Sequence, residues 1–414
     1  VTLFPIQLLI LLVLMNRYLV GPLVRRLQGK RGDPVDDSYQ PTVAVIVPLY
    51  NEGEGIFHTV RSLLEQEYPA DRFQIVVVDD CSKDDSYAWA CKAAEGHANV
   101  TVMRNPENMG KRKGIARAVR AVEAEIIVSV DSDVVADKRA VKELVRRFTA
   151  PDIAAVGGRT FIVNRHASWL TQMLEVKFHF SQVWLKDLER TCDTVMCLTG
   201  CLTAYRRTVL LELDPILEDR NIAGVPIKYG EDRFLTRMIV KHGYRTRSTI
   251  AAFCQTAAPK DIQGYYSQQL RWRRSNLVDM ICGLSHAWKL PAPVGIHYVA
   301  QFCLLLAYPV VILENLMAGE FFSVLVKHAA LIAVMGLVYR WEVRHLPDEL
   351  KVPAHALLPI TFLMPVTYAF FTPLALATLD SGSWETRNGP ATAAAPAGVP
   401  PPPGGGPTPV QLNA

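Results

Sequence analysis

The sequence predicts an α/β domain built on a mostly parallel sheet and followed by membrane-length helices. Three observations carry that prediction. Residues 42–156 alternate short apolar runs with stretches whose apolar residues recur at helical spacing, and such β-α-β succession builds a parallel sheet with helices on both faces. Several of the apolar runs end abruptly in acidic or polar residues, at the strand ends where ligands gather in a sheet of this kind. Beyond Pro293 apolar segments dominate, at about 294–316, 321–338 and 353–378, within or above the length a membrane-spanning helix needs.

Composition agrees with this. A chain of 414 residues can hold two or more structural units, and its 50% hydrophobic fraction sits at the top of the soluble range, as expected of a protein with membrane segments. The formal charge of +4 gathers at Arg25-Arg26, Lys30-Arg31, Lys111-Arg112-Lys113 and Arg271 to Arg274. These clusters flank apolar segments or candidate phosphate sites, a pattern that argues for membrane-flanking and anion-binding roles and against a nucleic-acid footprint. Eight cysteines occur without a C-x-x-C pair, so reduced thiols are expected, not a disulfide framework or a zinc site.

Taken in order, the chain begins with an apolar run at 3–20 that no small-residue cleavage site succeeds, the mark of a signal anchor. A transmembrane segment is expected over 1–22, short for a full span, as if an earlier one had been lost. The basic residues between Arg25 and Arg31 place the α/β domain beyond them in the cytoplasm. Strands are expected at 43–47, 74–78, 100–103, 126–130 and 153–156. Ile56, Phe57, Val60, Leu63 and Leu64 share one helix face, and Ile115, Val119 and Val122 share another.

Residues 166–190, with Trp169, Leu170, Met173, Val176, Phe180, Val183 and Trp184, read either as a core helix or as a helix lying in the membrane interface. Residues 198–207 read as a buried strand or loop, and Gly230-Glu-Asp232 precedes a helical pattern of Phe234, Leu235, Met238 and Ile239. On a helix through 265–274, Gln268, Arg271 and Trp272 share a face. That face is either a basic interfacial surface or a stacking platform for a sugar with a guanidinium fork for an anion. The last apolar segment carries Pro359, Pro365 and Pro373 and is expected to be kinked or re-entrant; the Pro/Ala/Gly-rich residues 391–414 are expected to be disordered.

The chemistry-bearing residues cluster at the predicted strand ends. The strand at 126–130 runs into Asp131-Ser-Asp133, and alternation puts both carboxylates on one side of an extended backbone, within reach of one divalent ion. The first strand runs into Pro48-Leu-Tyr-Asn-Glu52 and the second into Asp79-Asp80. Residues 105–113, with Gly110-Lys-Arg112 opening a helix, offer cations and helix N-terminal amides to phosphate. Together they predict a nucleotide-diphosphate site. There is no G-x-x-x-x-G-K-[ST] and no G-x-G-x-x-G after the first strand, which disfavours a P-loop ATPase and a dinucleotide fold.

These motifs, followed by Gly230-Glu-Asp232, Gln268-Gln-Leu-Arg-Trp272 and Trp384-Glu-Thr-Arg387, resemble the set found in processive inverting family-2 glycosyltransferases. The nearest members are hyaluronan synthases and bacterial chitooligosaccharide (nodulation) synthases, with chitin and cellulose synthases more distant. The resemblance covers roughly residues 42–387. It implies a GT-A (Rossmann-like) α/β glycosyltransferase domain at 40–285, transmembrane helices at 290–380 and a W-x-T-R loop at 381–390. It further implies UDP-sugar donors, UDP-GlcNAc and for hyaluronan also UDP-GlcUA, a growing polysaccharide as acceptor, and a multi-pass protein of the plasma (inner) membrane.

Carried over by position, the resemblance implies that Tyr50, Glu52 and Asp80 hold uridine and Lys111 the phosphates. Asp131 would sit beside the donor, and Asp133 would ligate Mg²⁺ or Mn²⁺. Asp232 would be the general base, its pKa raised by Glu231 and the Asp-Ser-Asp carboxylates. Gln268, Arg271 and Trp272 would hold the diphosphate and acceptor sugar, and Trp384 and Arg387 would close over the nucleotide. Two departures stand out: Glu385 replaces the usual Gly of W-G-T-R, and Gly200-Cys201 replaces the usual Gly-Pro.

Three crossings after a cytoplasmic domain would leave Trp384 outside, so either one C-terminal segment does not span, the proline-rich last one first among them, or W-E-T-R is not a gate; the first is the expectation. The motifs leave open whether the polymer is hyaluronan or a chitin-like chain. A non-processive glycolipid-forming enzyme and a non-catalytic export scaffold are the alternatives.

Overall fold

The computed structural model describes residues 34–218, 221–222, 225–227 and 229–379. The expected N-terminal transmembrane segment, the loop bearing Trp384 and Arg387, and the tail at 391–414 lie outside these residues.

All five expected strands form: β1 (Val43–Leu49), β2 (Phe73–Asp79), β3 (Val100–Arg104), β4 (Ile126–Val130) and β6 (Ile153–Ile162). They are joined by β5 (Val134–Ala136), β7 (Leu202–Arg206), a small hairpin of β8 (Asn221–Ile222) and β9 (Val225–Pro226), and β10 (Arg245–Thr256). Eight strands make one sheet in the order β3-β2-β1-β4-β7-β6-β10-β5. The half from β3 to β4 is parallel throughout, as expected. Beyond it the sheet is mixed: β7 runs antiparallel to both β4 and β6, β10 is parallel to β6, and β5 antiparallel to β10.

Alternation along β1 sends its side chains to two cores. Val43, Val45 and Val47 pack with Ile56, Val60 and Leu63 of α1 (Gly55–Leu64) and with Val141 and Leu144 of α4 (Ala140–Val145). Ala44 and Ile46 pack on the other face with Ala118 and Val119 of α3 (Lys111–Ala121), Leu213 of α7 (Arg207–Glu218), and Phe234 and Met238 of α8 (Glu231–Lys241). Burial on both faces is why β1 and β4 read as continuous apolar runs. Short α2 (Ser86–Ala94) comes after β2.

The tryptophan-bearing stretch at 166–190 is not one helix. Ser168 caps α5 (Trp169–Gln182) through a reciprocal capping box with Thr171; a tight turn at Trp184–Lys186 then leads to the short α6 (Asp187–Thr191). Leu170, Met173 and Leu174 of α5 pack against Tyr339 of α11 (Phe321–Glu342) and Ile360 of α12 (Ile360–Ala377). Residues 265–274 lie on the 22-residue α9 (Ile262–Gly283), capped by Asp261.

Three described helices are long and apolar enough to cross a membrane: α10 (Ala292–Met317), the helix Phe321–His345 that contains α11, and α12. Pro365 and Pro373 lie inside α12 without interrupting it. Both ends of α12 touch elements of the α/β domain. Ile360 joins the cluster formed with α5, and at the other end Arg274 Nε donates to Thr378 Oγ1 at 3.0 Å while Tyr229 OH donates to the Leu379 carbonyl at 2.7 Å.

Candidate active site

The carboxyl ends of β1, β2 and β4 open into one continuous cavity of ≈ 2010 Å³. Its walls include Tyr50, Glu52, Asp80, Lys111, Asp131, Asp133, Asp232, Gln268, Arg271 and Trp272. Every expected site residue that lies among the described residues therefore faces the same space.

The order within that space comes from hydrogen bonds. Asp80, at the end of β2, accepts from Asn105 Nδ2 at 2.8 Å, Met109 N at 2.9 Å and Gly110 N at 2.7 Å. Its carboxylate thus fixes the loop that delivers Lys111. Gly110 takes φ +85° at the start of α3, the left-handed region open to glycine. Ser86 Oγ accepts from the Glu52 amide at 2.7 Å, and Ser132 Oγ donates to Glu52 Oε2 at 3.3 Å.

Lys111 bridges two carboxylates, with Nζ 2.5 Å from Asp131 Oδ1 and 3.0 Å from Glu231 Oε1. Burial opposes its charge, but Asp131 and then Glu231 outweigh that and hold its pKa above the ordinary lysine value. Burial likewise opposes the charge of Glu231, and the Lys111 ammonium holds it below the usual carboxylate range. Asp232 moves the other way: burial first, then the Glu231 charge, raise its pKa, against a smaller opposing pull from Arg233. Asp133 is exposed at the mouth and accepts from Thr256 Oγ1 at 3.2 Å.

Two glycines let these parts approach. A Cβ on Gly200 would lie 3.8 Å from both Asp131 Oδ2 and Asp232 Oδ2, so Gly200 sits between the two carboxylates. Gly230 caps α8 in the left-handed region, and a Cβ there would fall 1.9 Å from Ser275 Oγ on α9. Asp232 and the Gln268-Arg271-Trp272 face are thereby held in tight register. Trp272 is backed by Phe178 of α5, their ring centres 5.8 Å apart. Gln268 Oε1 is buried with no hydrogen-bond partner among the described residues.

A family model described as glycosyltransferase like family 2 matches residues 41–275, the span that builds this site. The chain belongs to glycosyltransferase family 2. Among the relatives of this glycosyltransferase, an N-acetylglucosaminyltransferase of Azorhizobium caulinodans is 33% identical over 59% of this chain and 62% of its own. An N-acetylglucosaminyltransferase of Rhizobium leguminosarum bv. viciae is 30% identical over 85% of this chain and 83% of its own. A hyaluronan synthase of Streptococcus pyogenes is 27% identical, with 86% and 85% covered. The chain thus spans less than two thirds of the first relative and more than four fifths of the other two. A mannosyltransferase from Pyrobaculum calidifontis, solved with GDP-Man and Mn²⁺, shares the GT-A fold with a TM-score of 0.57 at 22% identity, covering 91% of this chain and 97% of its own.

In this family-2 enzyme several residues that shape the site escape a reading of the motifs. Glu231 stands out as the second anchor of Lys111, and only its place inside Gly230-Glu-Asp232 marks it in the sequence. Thr256 ends β10, whose first five residues, Arg245-Thr-Arg-Ser-Thr249, are all polar. Thr236 accepts from the Leu198 amide at 3.3 Å and donates to the Asp232 carbonyl at 2.7 Å, pinning the Gly200 loop to α8.

Proposed function

We propose that this glycosyltransferase is a membrane-embedded, inverting, processive enzyme that polymerises an N-acetylglucosamine-containing polysaccharide from UDP-sugars and passes it outward. The observation that carries the reading is the continuity of the cavity. From Tyr50 and Asp131 it passes Asp232 and Trp272 and reaches His297, Gln301 and Leu304 of α10 and Tyr368 of α12, so a chain extended at one end has an uninterrupted path into the membrane-length helices.

Asp232 is the base. It takes the proton of the acceptor hydroxyl as that oxygen bonds to the donor's anomeric carbon; the bond from that carbon to the diphosphate breaks on the opposite face, its electron pair leaving with UDP. A raised carboxylate pKa suits this work. Tyr50 and Glu52 line the uridine end, with Asp80 holding the 105–110 loop against it. Lys111, relieved of one carboxylate, serves the diphosphate with Arg271, while Trp272 and Gln268 carry the acceptor sugar.

No group of three or more His, Cys, Asp or Glu side chains capable of holding a metal occurs among the described residues. Asp133, exposed beside Asp131, supplies oxygen ligands of the kind Mg²⁺ and Mn²⁺ share with substrate phosphates, so the donor set fits one such ion when a diphosphate is present. Bound there, it supplies charge stabilisation of the departing diphosphate.

The domain at 40–285 is read as cytoplasmic, beneath helices at 290–380 in the plasma (inner) membrane. The contacts of Thr378 and Leu379 with Arg274 and Tyr229 support a last helix that returns to the catalytic side, which lets Trp384 and Arg387 serve as the closing loop. Product size from purified protein tests the reading. Long polymer from UDP-GlcNAc, with or without UDP-GlcUA, is expected; a single transfer to lipid would end the processive reading, and no UDP release would end the catalytic one.

A further inference from the structure

The helix that opens on Lys111 carries a second cation that works from behind the cavity wall. Arg117, further along α3 and half-buried, is not among the residues that line the cavity. Its guanidinium turns instead to the end of the edge strand β3. There Nη1 donates to Asn105 Oδ1 at 2.6 Å and to the Arg104 carbonyl at 3.0 Å. In the sequence Arg117 shares a helix face with the exposed Lys113 and Arg120, so it reads as one more solvated charge.

Asn105 is 2% exposed, and both ends of its amide are engaged. Its oxygen takes the Arg117 bond, while its nitrogen donates to Asp80 Oδ1 at 2.8 Å. The two bonds depend on each other. Turned over, the amide would set its oxygen against a carboxylate and its N–H groups against a guanidinium, and both contacts would become repulsive. The charge-assisted bond from Arg117 therefore selects the orientation in which Asn105 supports Asp80. Asp80 in turn accepts from the Met109 and Gly110 amides and so holds the loop that ends in Lys111.

Arg104, whose carbonyl Arg117 also holds, extends the brace to the opposite wall. It pairs with the buried Asp79 at 3.0 Å and donates to the Ser82 carbonyl at 3.2 Å. Ser82 Oγ accepts from the amide of Asn51, between Tyr50 and Glu52, at 3.1 Å.

We propose that Arg117 is a positioning residue for the nucleotide-diphosphate donor, acting through Asn105 and Asp80 to keep the 109–111 segment in the shape that receives the phosphates. The inference rests on the reading above that this end of the cavity takes UDP.

Calorimetric titration of the full chain in detergent, with UDP alone as the probe, reads the effect apart from turnover. Arg117→Met should weaken UDP binding about tenfold, the loss of one hydrogen bond to a charged group. Arg117→Lys, which keeps a charge and a donor, should stay within about threefold of wild type. Asn105→Ala should weaken binding about as much as Arg117→Met, and the double variant little further, where independent effects would multiply to about a hundredfold. Arg120→Met, which removes a guanidinium from the next turn of α3, should bind UDP like wild type.

An Arg117→Met chain that binds UDP like wild type overturns the inference. So do an Arg117→Lys chain no better than Arg117→Met, a double variant weakened by the full product, and an Arg120→Met chain as weak as Arg117→Met. Were the Asn105→Ala chain not to fold, the three single variants on α3 decide. A wild-type chain that binds no UDP would end the reading of the site itself. Firm wild-type binding with an indifferent Arg117→Met would leave that reading standing and end this inference alone.

Discussion

Replacing Gly230 by alanine tests how Asp232, the proposed base, is held. A Cβ there would sit 1.9 Å from Ser275 Oγ and 2.7 Å from Ser275 Cβ, while the backbone stays at φ +68°. The left-handed conformation costs a non-glycine residue about 1–2 kcal/mol, and forcing side chains apart in a packed seam costs about 1–3 kcal/mol. The sum, about 2–5 kcal/mol, is a large part of ordinary domain stability. Any relief must come from α8 sliding away from α9, which carries Asp232 off its position relative to Trp272; a misplacement near 1 Å costs about 10²-fold in rate. The melting temperature in one detergent and the rate of UDP release read the two effects. Ser275→Gly in the same chain removes the clash and should return part of both losses, leaving the backbone cost and the roughly 1 kcal/mol of a helical glycine. A Gly230→Ala protein that melts and turns over like wild type would refute the argument.

Asp232→Asn should lower UDP release by about 10²–10⁴-fold while calorimetric UDP binding stays within about twofold. Because a base works deprotonated and burial and Glu231 raise the pKa of Asp232, the rate should fall as pH drops through a value above the ordinary carboxylate range. Glu231→Gln should move that acid limb to lower pH in a pH–rate profile. Arg237 and Asp279 form a buried pair at 2.7 Å between α8 and α9, their side chains 5% and 4% exposed; Arg237→Met alone should cost about 3–5 kcal/mol of stability, and Arg237→Met with Asp279→Leu much less. Chelation with EDTA should stop UDP release and Mg²⁺ or Mn²⁺ restore it, with Asp133→Asn raising the metal concentration required.

How much of this was legible in the sequence depends on what buries each residue. β1 and β4 are covered on both faces by apolar neighbours, so their runs announce themselves. β10 was invisible because its polar residues are buried by partners distant in sequence: Arg247 makes two bonds of 2.8 Å to the carboxylate of Asp193, and Thr246 donates to the Val195 carbonyl. Without β10, and with residues 198–207 readable as either strand or loop, the far half of the sheet cannot be oriented from the sequence, and a mostly parallel sheet is the natural expectation. In the site, the motifs marked which residues converge but not how they pair. Lys111 offered itself as a phosphate ligand; that it rests between Asp131 and Glu231 is a property of the folded seam.

The bond from Tyr229 to the Leu379 carbonyl joins residues 150 apart in sequence. A nascent chain cannot make it until the last apolar helix has left the ribosome and taken its place. The segment immediately before Gly230 and Asp232 therefore gains this anchor only when assembly of the whole polypeptide is complete. A fragment released after residue 285 would lack this brace beside Gly230 and Asp232.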